Sequence, residues 1–254
     1  MLRKLEEKDL PQLLDIIRED EVNNLQFYEY LPYLNNQYER FGFYCKFDED
    51  NLVGALYFSP FNTGFAIQNP LYIYNYFKDM LTKTSSMYIY GRHDYIQRLG
   101  EITGREVHVY RYGFLPIKKY NNGDIAKYVE RATRDDIPEL ISFYDGKDIM
   151  IEISDRIGEL IDKGSVFVRK EGDRIVAAAL AHSETDEYAL IGAVYTEADF
   201  QGNGYGMYCL KALVQHLHQQ EKTPYLFYEE ALQHLDGFYQ KFSFQHETDI
   251  WMLY

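Results

Sequence analysis

The sequence predicts an α/β fold made of two tandem halves, on three observations. "KLEEKDLPQLLDII" (4–17) aligns without gaps to "RATRDDIPELISFY" (131–144), with Asp9 on Asp136, Pro11 on Pro138 and Leu13 on Leu140. That offset is 127 positions, half of the 254 residues. "FYCKFDEDNLVGAL" (43–56) aligns, in the same order, to "VFVRKEGDRIVAAA" (166–179). Finally, a strand-like run "YALIGAVYT" (188–196) leads through "DFQGNGYG" (199–206) into a helix-like run "MYCLKALVQHLHQQ" (207–220). Two matches in one order argue for duplication over two unrelated α/β segments that share turn chemistry.

Each half opens with a short strand that leads to Asp and then to a helix with Pro in its first turn, where both residue types are favoured. Apolar residues follow at helical spacing: Leu10, Leu13, Leu14 and Ile17 in one half, Ile137, Leu140, Ile141 and Tyr144 in the other. The second match is an apolar strand, a charged turn and another apolar strand, which is a hairpin signature. "IVAAALA" (175–181) is apolar on both faces and belongs in the middle of a covered sheet. Each half therefore reads strand, helix, helix, hairpin, strand, helix, strand, helix, strand. The polar stretch "KKYNNGDIAK" (118–127), punctuated by Asn121-Asn122-Gly123, divides them into 1–122 and 123–254. Where the second half has "DFQGNGYG", the first has "FAIQNPLYI" (65–73), with Pro70 in the turn and no glycines. Its aromatic stretches "LYIYNYF" (71–77) and "MYIYGRHDYI" (87–96) read as the matching helix and strand without the site.

Composition narrows the function. Apolar residues make up 46%, enough for a core, and aromatics 17%, with 25 Tyr and 16 Phe. A formal net charge of −14 disfavours nucleic acid and anionic membranes, whose phosphates it repels. The start "MLRKLEEKDL" has no signal-peptide core and no window is long enough to span a bilayer, so a cytoplasmic protein is expected. The two cysteines, Cys45 in a strand and Cys209 in a helix, read as free thiols. No metal is expected. Among the seven histidines, His216 and His218 are two apart on a helix, face different sides and are expected at the surface, and His182 reads as a sheet-end residue. There is no HExxH and no G-x-S-x-G elbow.

The glycine turn carries the chemistry. A helix start offers four unpaired N–H groups and a partial positive charge. Glycines let the chain curl so that those groups converge on a phosphate. The helix behind the turn has an apolar stripe, Met207, Leu210, Leu213, Val214 and Leu217, for packing on a sheet. A Rossmann fingerprint fails because Gly206 comes one place early and Met207 holds its slot; a P-loop fails because no Lys follows. A pyrophosphate cradle and a glycine turn without function both remain.

"VYTEADFQGNGYG" (194–206) resembles the coenzyme A-binding motif of the GNAT superfamily of N-acetyltransferases. Gln201, Gly204 and Gly206 fill its (Gln/Arg)-x-x-Gly-x-(Gly/Ala) pattern. The resemblance covers about 128–254; the first half shares only the order of elements. It implies a tandem GNAT form, α/β or α+β by scheme. Each half would be a mixed, mainly antiparallel central sheet flanked by helices, with a degenerate first half. It also implies acetyl-CoA held by Val194, Tyr195, Thr196, Gln201, Gly202, Asn203, Gly204, Tyr205 and Gly206.

A second anchor follows. "FYQKFSF" (238–244) resembles the family's Tyr-x-Lys-x-Gly-Phe stretch, which puts Tyr239 in the place of the tyrosine that protonates the leaving thiolate. "PYLFYEE" (224–230) resembles the strand that splays to admit the cofactor. Glu229 at its end is the first choice for the base, with Glu230 and Glu197 behind it; Glu152 borders the acceptor cleft by position. Solvated surface glutamates and a core tyrosine are the alternatives. Ser243 stands where Gly is usual, Leu232 where an Asn is common, and Gly237 sits mid-helix. The expected function is acetyl transfer to a primary amine of a small molecule, amino acid or peptide. The alternative is a weak CoA-binding or sensing module. A monomer with an internal pseudo-dimer, or a homodimer, fits a duplicated chain. The first half then either packs on the second or walls its cleft.

Overall fold

In the computed structural model the described residues are 2–31, 42–59, 62–67, 78–81, 88–91, 93–116, 128–147 and 156–254. Pro70, the stretches 71–77 and 118–127, and Glu152 lie outside them. Contacts group the chain into two compact units. The first comprises Met1–Tyr112, Phe227–Asp236 and Glu247–Tyr254; the second comprises Gly113–Leu226 and Gly237–His246.

The first unit begins with β1 (Leu2–Lys4), a 3-10 turn (Glu7–Asp9), α1 (Leu10–Glu19) and α2 (Leu25–Tyr30). The strands β2 (Gly42–Asp48), β3 (Asn51–Phe58) and β4 (Asn62–Ile67) follow. Then come α3 (Lys78–Leu81), β5 (Tyr88–Gly91), α4 (His93–Thr103) and β6 (Val107–Phe114). The strand order is β1-β2-β3-β4-β5, then β12 (Gln245–Leu253) and β6. β12 reaches this unit with its last residues, Trp251 to Leu253, antiparallel to β5. Alternation on the strands separates two cores. Ala55 and Tyr57 face α1 and α2 with Leu13, Ile17 and Phe27. Leu56 faces α4 with Ile96 and Leu99 on the other side.

The second unit contains β7 (Glu130–Arg131), a 3-10 turn (Arg134–Asp136), α5 (Ile137–Tyr144) and α6 (Ile157–Lys163). Next are β8 (Val166–Glu171), β9 (Arg174–Glu184) and β10 (Tyr188–Thr196). A 3-10 turn (Ala198–Phe200) and α7 (Tyr205–Gln219) precede β11 (Thr223–Glu229) and α8 (Gln233–Gln240). Its order is β7-β8-β9-β10-β11. β9 is the covered centre that its composition requires, with Ile175 to Ala181 at most 1% exposed. The α7 stripe is buried at Leu210, Leu213, Val214 and Leu217. Ile141, expected on the buried face of α5, is exposed; Phe143 takes its place beside Leu140 and Tyr144.

The duplication extends to backbone detail. Asp9 and Asp136 do not cap their helices. Each turns back, so that the Glu6 N–H donates to Asp9 (2.9 Å) and the Thr133 N–H to Asp136 (2.8 Å). The Arg3 guanidinium holds the Asp9 carboxyl below its usual range. Burial pushes the Asp136 carboxyl up, but hydrogen bonds from Lys170 and Thr133 bring it below. β2–β3 and β8–β9 carry bulges at aligned places, Lys46/Phe47 and Arg169/Lys170. β4–β5 and β10–β11 are the matching parallel pairs.

Both hairpins turn through a left-handed residue, Glu49 (φ 52°) in one and Gly172 (φ 62°) in the other. Only the second half uses the residue that accepts this conformation without strain. Glu49→Gly is therefore expected to stabilise the chain by roughly 1 kcal/mol, read as a thermal midpoint higher by about 2–4 °C. An unchanged or lower midpoint would show that the turn is not strained.

Cys45 and Cys209 are both buried and free. Burial pushes the Cys45 thiol up to about 12 and the Cys209 thiol up as well, so neither is a nucleophile at neutral pH. Among the described residues, no helix is long and apolar enough to cross a membrane.

Candidate active site

The three glycines of the turn do different jobs. Gly202 and Gly204 are left-handed, at φ 81° and 78°. Neither is crowded: nothing lies within 4 Å of a methyl group placed on Gly202, and only a Tyr208 ring carbon, at 3.7 Å, lies near one on Gly204. Conformation selects glycine there. Gly206 is selected by space, because a methyl group on it would sit 2.7 Å from the Thr196 hydroxyl. The start of α7 thus packs directly against the end of β10.

Side chains of the motif brace the loop. Gln201 Nε2 donates to the Thr196 carbonyl (3.2 Å), and Asn203 Nδ2 donates to the Phe200 carbonyl (3.0 Å). Gly204 is the N-cap of α7, and no side chain caps that end. The first-turn N–H groups of this 15-residue helix have no intrahelical partner by construction. The result is a side-chain-free set of donors at the positive end of a helix dipole, which fits an anionic phosphate group.

A basic and aromatic flank lies beside it. Arg169 stands over the Tyr205 ring (4.9 Å) and pairs with Glu171, which also accepts from the Tyr205 hydroxyl (3.0 Å). Tyr128 and Tyr208 stack at 5.1 Å, with Lys211 5.8 Å from the Tyr208 ring. None of these companions was visible from the motif, because they come from β8, α7 and the residues before β7.

β10 supplies the strand end. Its parallel ladder with β11 runs over three pairs, Tyr188↔Thr223 to Leu190↔Tyr225. Against β9 it is bulged between Gly192 and Tyr195, where Ala193 has φ 50°. The Tyr144 hydroxyl donates to the Ala193 carbonyl at 2.7 Å and pins the bulge. Burial raises that phenol well above its ordinary value, so it stays a donor. A bulge takes backbone groups out of the ladder, which leaves the 193–195 stretch able to present an N–H elsewhere. Tyr195 packs on Phe143 (5.6 Å), with Lys147 over its ring.

The carboxylate candidates separate. Glu197 is held by Lys147 (3.2 Å) and faces Arg174 (3.9 Å). Glu230 pairs with Arg111 at 3.4 Å. Glu229 accepts from His108 Nδ1 at 2.8 Å, a partner 121 positions away that no local pattern could indicate. Tyr239 lies in α8, 7% exposed, beside Phe238 and Phe244. Tyr239 belongs to the second unit and Glu229 to the first. Ser243, where glycine is usual in the resembling stretch, has φ 60°, which explains the family's preference. His216, expected at the surface, is buried and takes Arg131 on Nδ1 (2.8 Å); His218 is half-buried and meets the Leu115 carbonyl.

The model of the acetyltransferase (GNAT) family matches residues 130–244. These residues form a GNAT acetyltransferase domain. The matched span holds the bulged strand, the glycine turn, α7 and Tyr239. Solved structures extend the likeness over the whole chain. A Drosophila protein aligns with a TM-score of 0.68 at 12% identity, over 99% of this chain and 97% of that one. A GCN5-related N-acetyltransferase-like protein from Streptococcus suis gives 0.64 at 13%, over 96% and 99%. A tandem GNAT protein from the clavulanic acid biosynthesis pathway gives 0.62 at 11%, over 99% and 97%. At such identities the likeness is one of fold, and that fold is the tandem GNAT arrangement. Comparison with curated proteins by sequence returned no match.

Proposed function

We propose that the chain is an acetyl-CoA-dependent N-acetyltransferase, acting by direct attack of a primary amine of a small molecule, amino acid or peptide in a ternary complex. The observation that carries it is the uncapped start of α7, reached through two left-handed glycines and seated on Thr196. Gln201 to Gly206, with Val194 to Thr196, would hold acetyl-CoA, which supplies an acyl group activated as a thioester. The α7 N–H groups take the pyrophosphate. A backbone N–H of the β10 bulge stabilises the negative charge that grows on the carbonyl oxygen, worth ~10²–10³ in rate. Tyr239 returns a proton to the departing sulfur, since a phenol of ordinary pKa near ~10 is a suitable donor to a thiolate. Glu229 serves the deprotonation of the amine.

One observation favours a second reading, a CoA-binding module of weak activity: the Tyr239 ring is buried, where proton exchange with a substrate is hindered. Thiol release from acetyl-CoA, followed with a panel of primary amines, separates the two. The enzyme reading expects release that rises with one class of amine. Tight acetyl-CoA binding with no release from any amine would favour the module.

A further inference from the structure

The first unit has a cavity at the place that corresponds to the strand end of the glycine-turn site. Two turns fix the correspondence. The Ser59 N–H donates to the Asn62 carbonyl (2.8 Å), and the Thr185 N–H to the Tyr188 carbonyl (2.9 Å). The Asn62 N–H donates back to the Ser59 hydroxyl (3.0 Å), and the Tyr188 N–H to the Thr185 hydroxyl (3.1 Å). With Asn62 set on Tyr188, the parallel pair β4–β5 starts at Asn62↔Tyr88 where β10–β11 starts at Tyr188↔Thr223. The first of these pairs ends at Thr63↔Ile89. Beyond it, residues 65–67 correspond to 191–193, which lead into the β10 bulge. A cavity of about 290 Å³ is lined there by the ends of β4 and β5, by residues 248–250 of β12, and by the end of α1 with the turn after it. All of these residues belong to the first unit.

Its lining is the opposite of a phosphate site. Glu19, Asp20 and Asp249 stand at it with Phe65, Tyr90 and Tyr95, and none of the described lining residues is Lys, Arg or His. Asp20 is oriented by Asn23, whose Nδ2 donates to both of its oxygens (2.9 and 3.0 Å). The helix end at the cavity is the C-terminus of α1, which carries partial negative charge. Continued three residues past the aligned helices, the repeat sets Asp20 on Lys147, the cation that holds Glu197 just after β10. The charge at that place is inverted between the halves. The slot between the parting strands is also filled. A methyl group on Gly91 would sit 2.5 Å from the Phe65 ring, and one on Gly64 would strike the Tyr90 hydroxyl, so each ring lies across the other strand's backbone. Carboxylates, aromatic rings and a helix C-terminus all favour positive charge, and together they repel a nucleotide. Carboxylates on two elements and aromatic rings in one cavity match ammonium groups joined by methylenes. We infer that this cavity binds a small organic cation of the alkyl polyamine class. The carboxylates take its ammonium groups, and the rings take the methylene chain. The site is separate from the acetyl transfer proposed above and does not depend on it.

Calorimetric titration of spermidine into the full chain, at physiological ionic strength and without acetyl-CoA, tests this. Saturable heat with a stoichiometry of one is expected. Asp20→Lys, which copies the second half, is expected to weaken binding ~10-fold or more. Asp186→Lys makes the same charge change on an exposed residue of the second unit and is expected to leave the affinity within about twofold, because the added charge is screened. Gly204→Val is expected to leave spermidine affinity unchanged. n-Butylamine, with one ammonium, is expected to bind ~10-fold more weakly than spermidine. Thermal melts check that the variants fold; Asp249→Asn, which keeps the shape of the side chain, decides the matter should Asp20→Lys not fold, and is expected to weaken binding ~3-fold or more. No saturable heat at millimolar spermidine overturns the inference. So does a loss in Asp186→Lys as large as in Asp20→Lys, which would make the attraction one of net charge alone. So does an affinity that Asp20→Lys and Asp249→Asn leave unchanged, or n-butylamine bound as tightly as spermidine.

Discussion

A Gly204→Val chain is expected to bind acetyl-CoA at least ~30-fold more weakly than the wild type while remaining folded. Gly204 has φ 78°, a conformation that costs an L-residue about 1–2 kcal/mol and a β-branched one more. The chain can relieve that strain only by reopening the turn, and the N–H groups then lose their common direction. About 2 kcal/mol of lost interaction is roughly 30-fold in affinity. A methyl group there meets only the Tyr208 ring, at an ordinary 3.7 Å, so packing is not the target of the change. Calorimetry gives the affinity, and a thermal melt separates a lost cradle from a lost fold. Equal affinity in the two chains would refute the cradle.

Tyr239→Phe is expected to leave acetyl-CoA affinity within about twofold and to lower kcat by ~10²–10³. Removing one hydroxyl from a buried ring keeps its packing on Phe238 and Phe244, and a thermal melt reads any loss of stability apart from the loss of rate. On the proposed reaction, the change removes the donor of the proton that the departing sulfur needs. Single-turnover thiol release reads this step apart from product loss. A Phe variant that turns over as fast as the wild type would leave Tyr239 as a core residue.

Local and repeating features were readable from the amino-acid order. β10 covers the residues that alternate and composition assign to it, and the seven-residue apolar run of β9 is buried throughout, because burial on both faces leaves no other composition stable. The repeat was readable because its anchors are short-range devices: an Asp that folds back on a turn, a Pro after it, a hairpin with a bulge. The glycine turn was readable for the same reason, since conformation and space at 202–206 act within a few residues. Pairings across many residues were not. Nothing local in "VHVY" says that His108 will meet Glu229, or in "WML" that β12 will end beside β5. The grouping of 227–236 and 247–254 with the first unit rests on the same long-range strand pairing. His216 was misjudged because a polar residue type was read without its partner: Arg131, 85 positions away, makes its burial tolerable. Ile141 was misjudged because α5 is two turns long, too short for the apolar arc to be set by spacing alone.

The central claim is that one acetyl-CoA binds per chain, at residues 201–206. Calorimetric titration of acetyl-CoA into the full chain tests it most directly. The account predicts saturable heat with a stoichiometry of one, abolished in Gly204→Val. No heat at high micromolar ligand, a stoichiometry of two, or one site that survives Gly204→Val unchanged would contradict it.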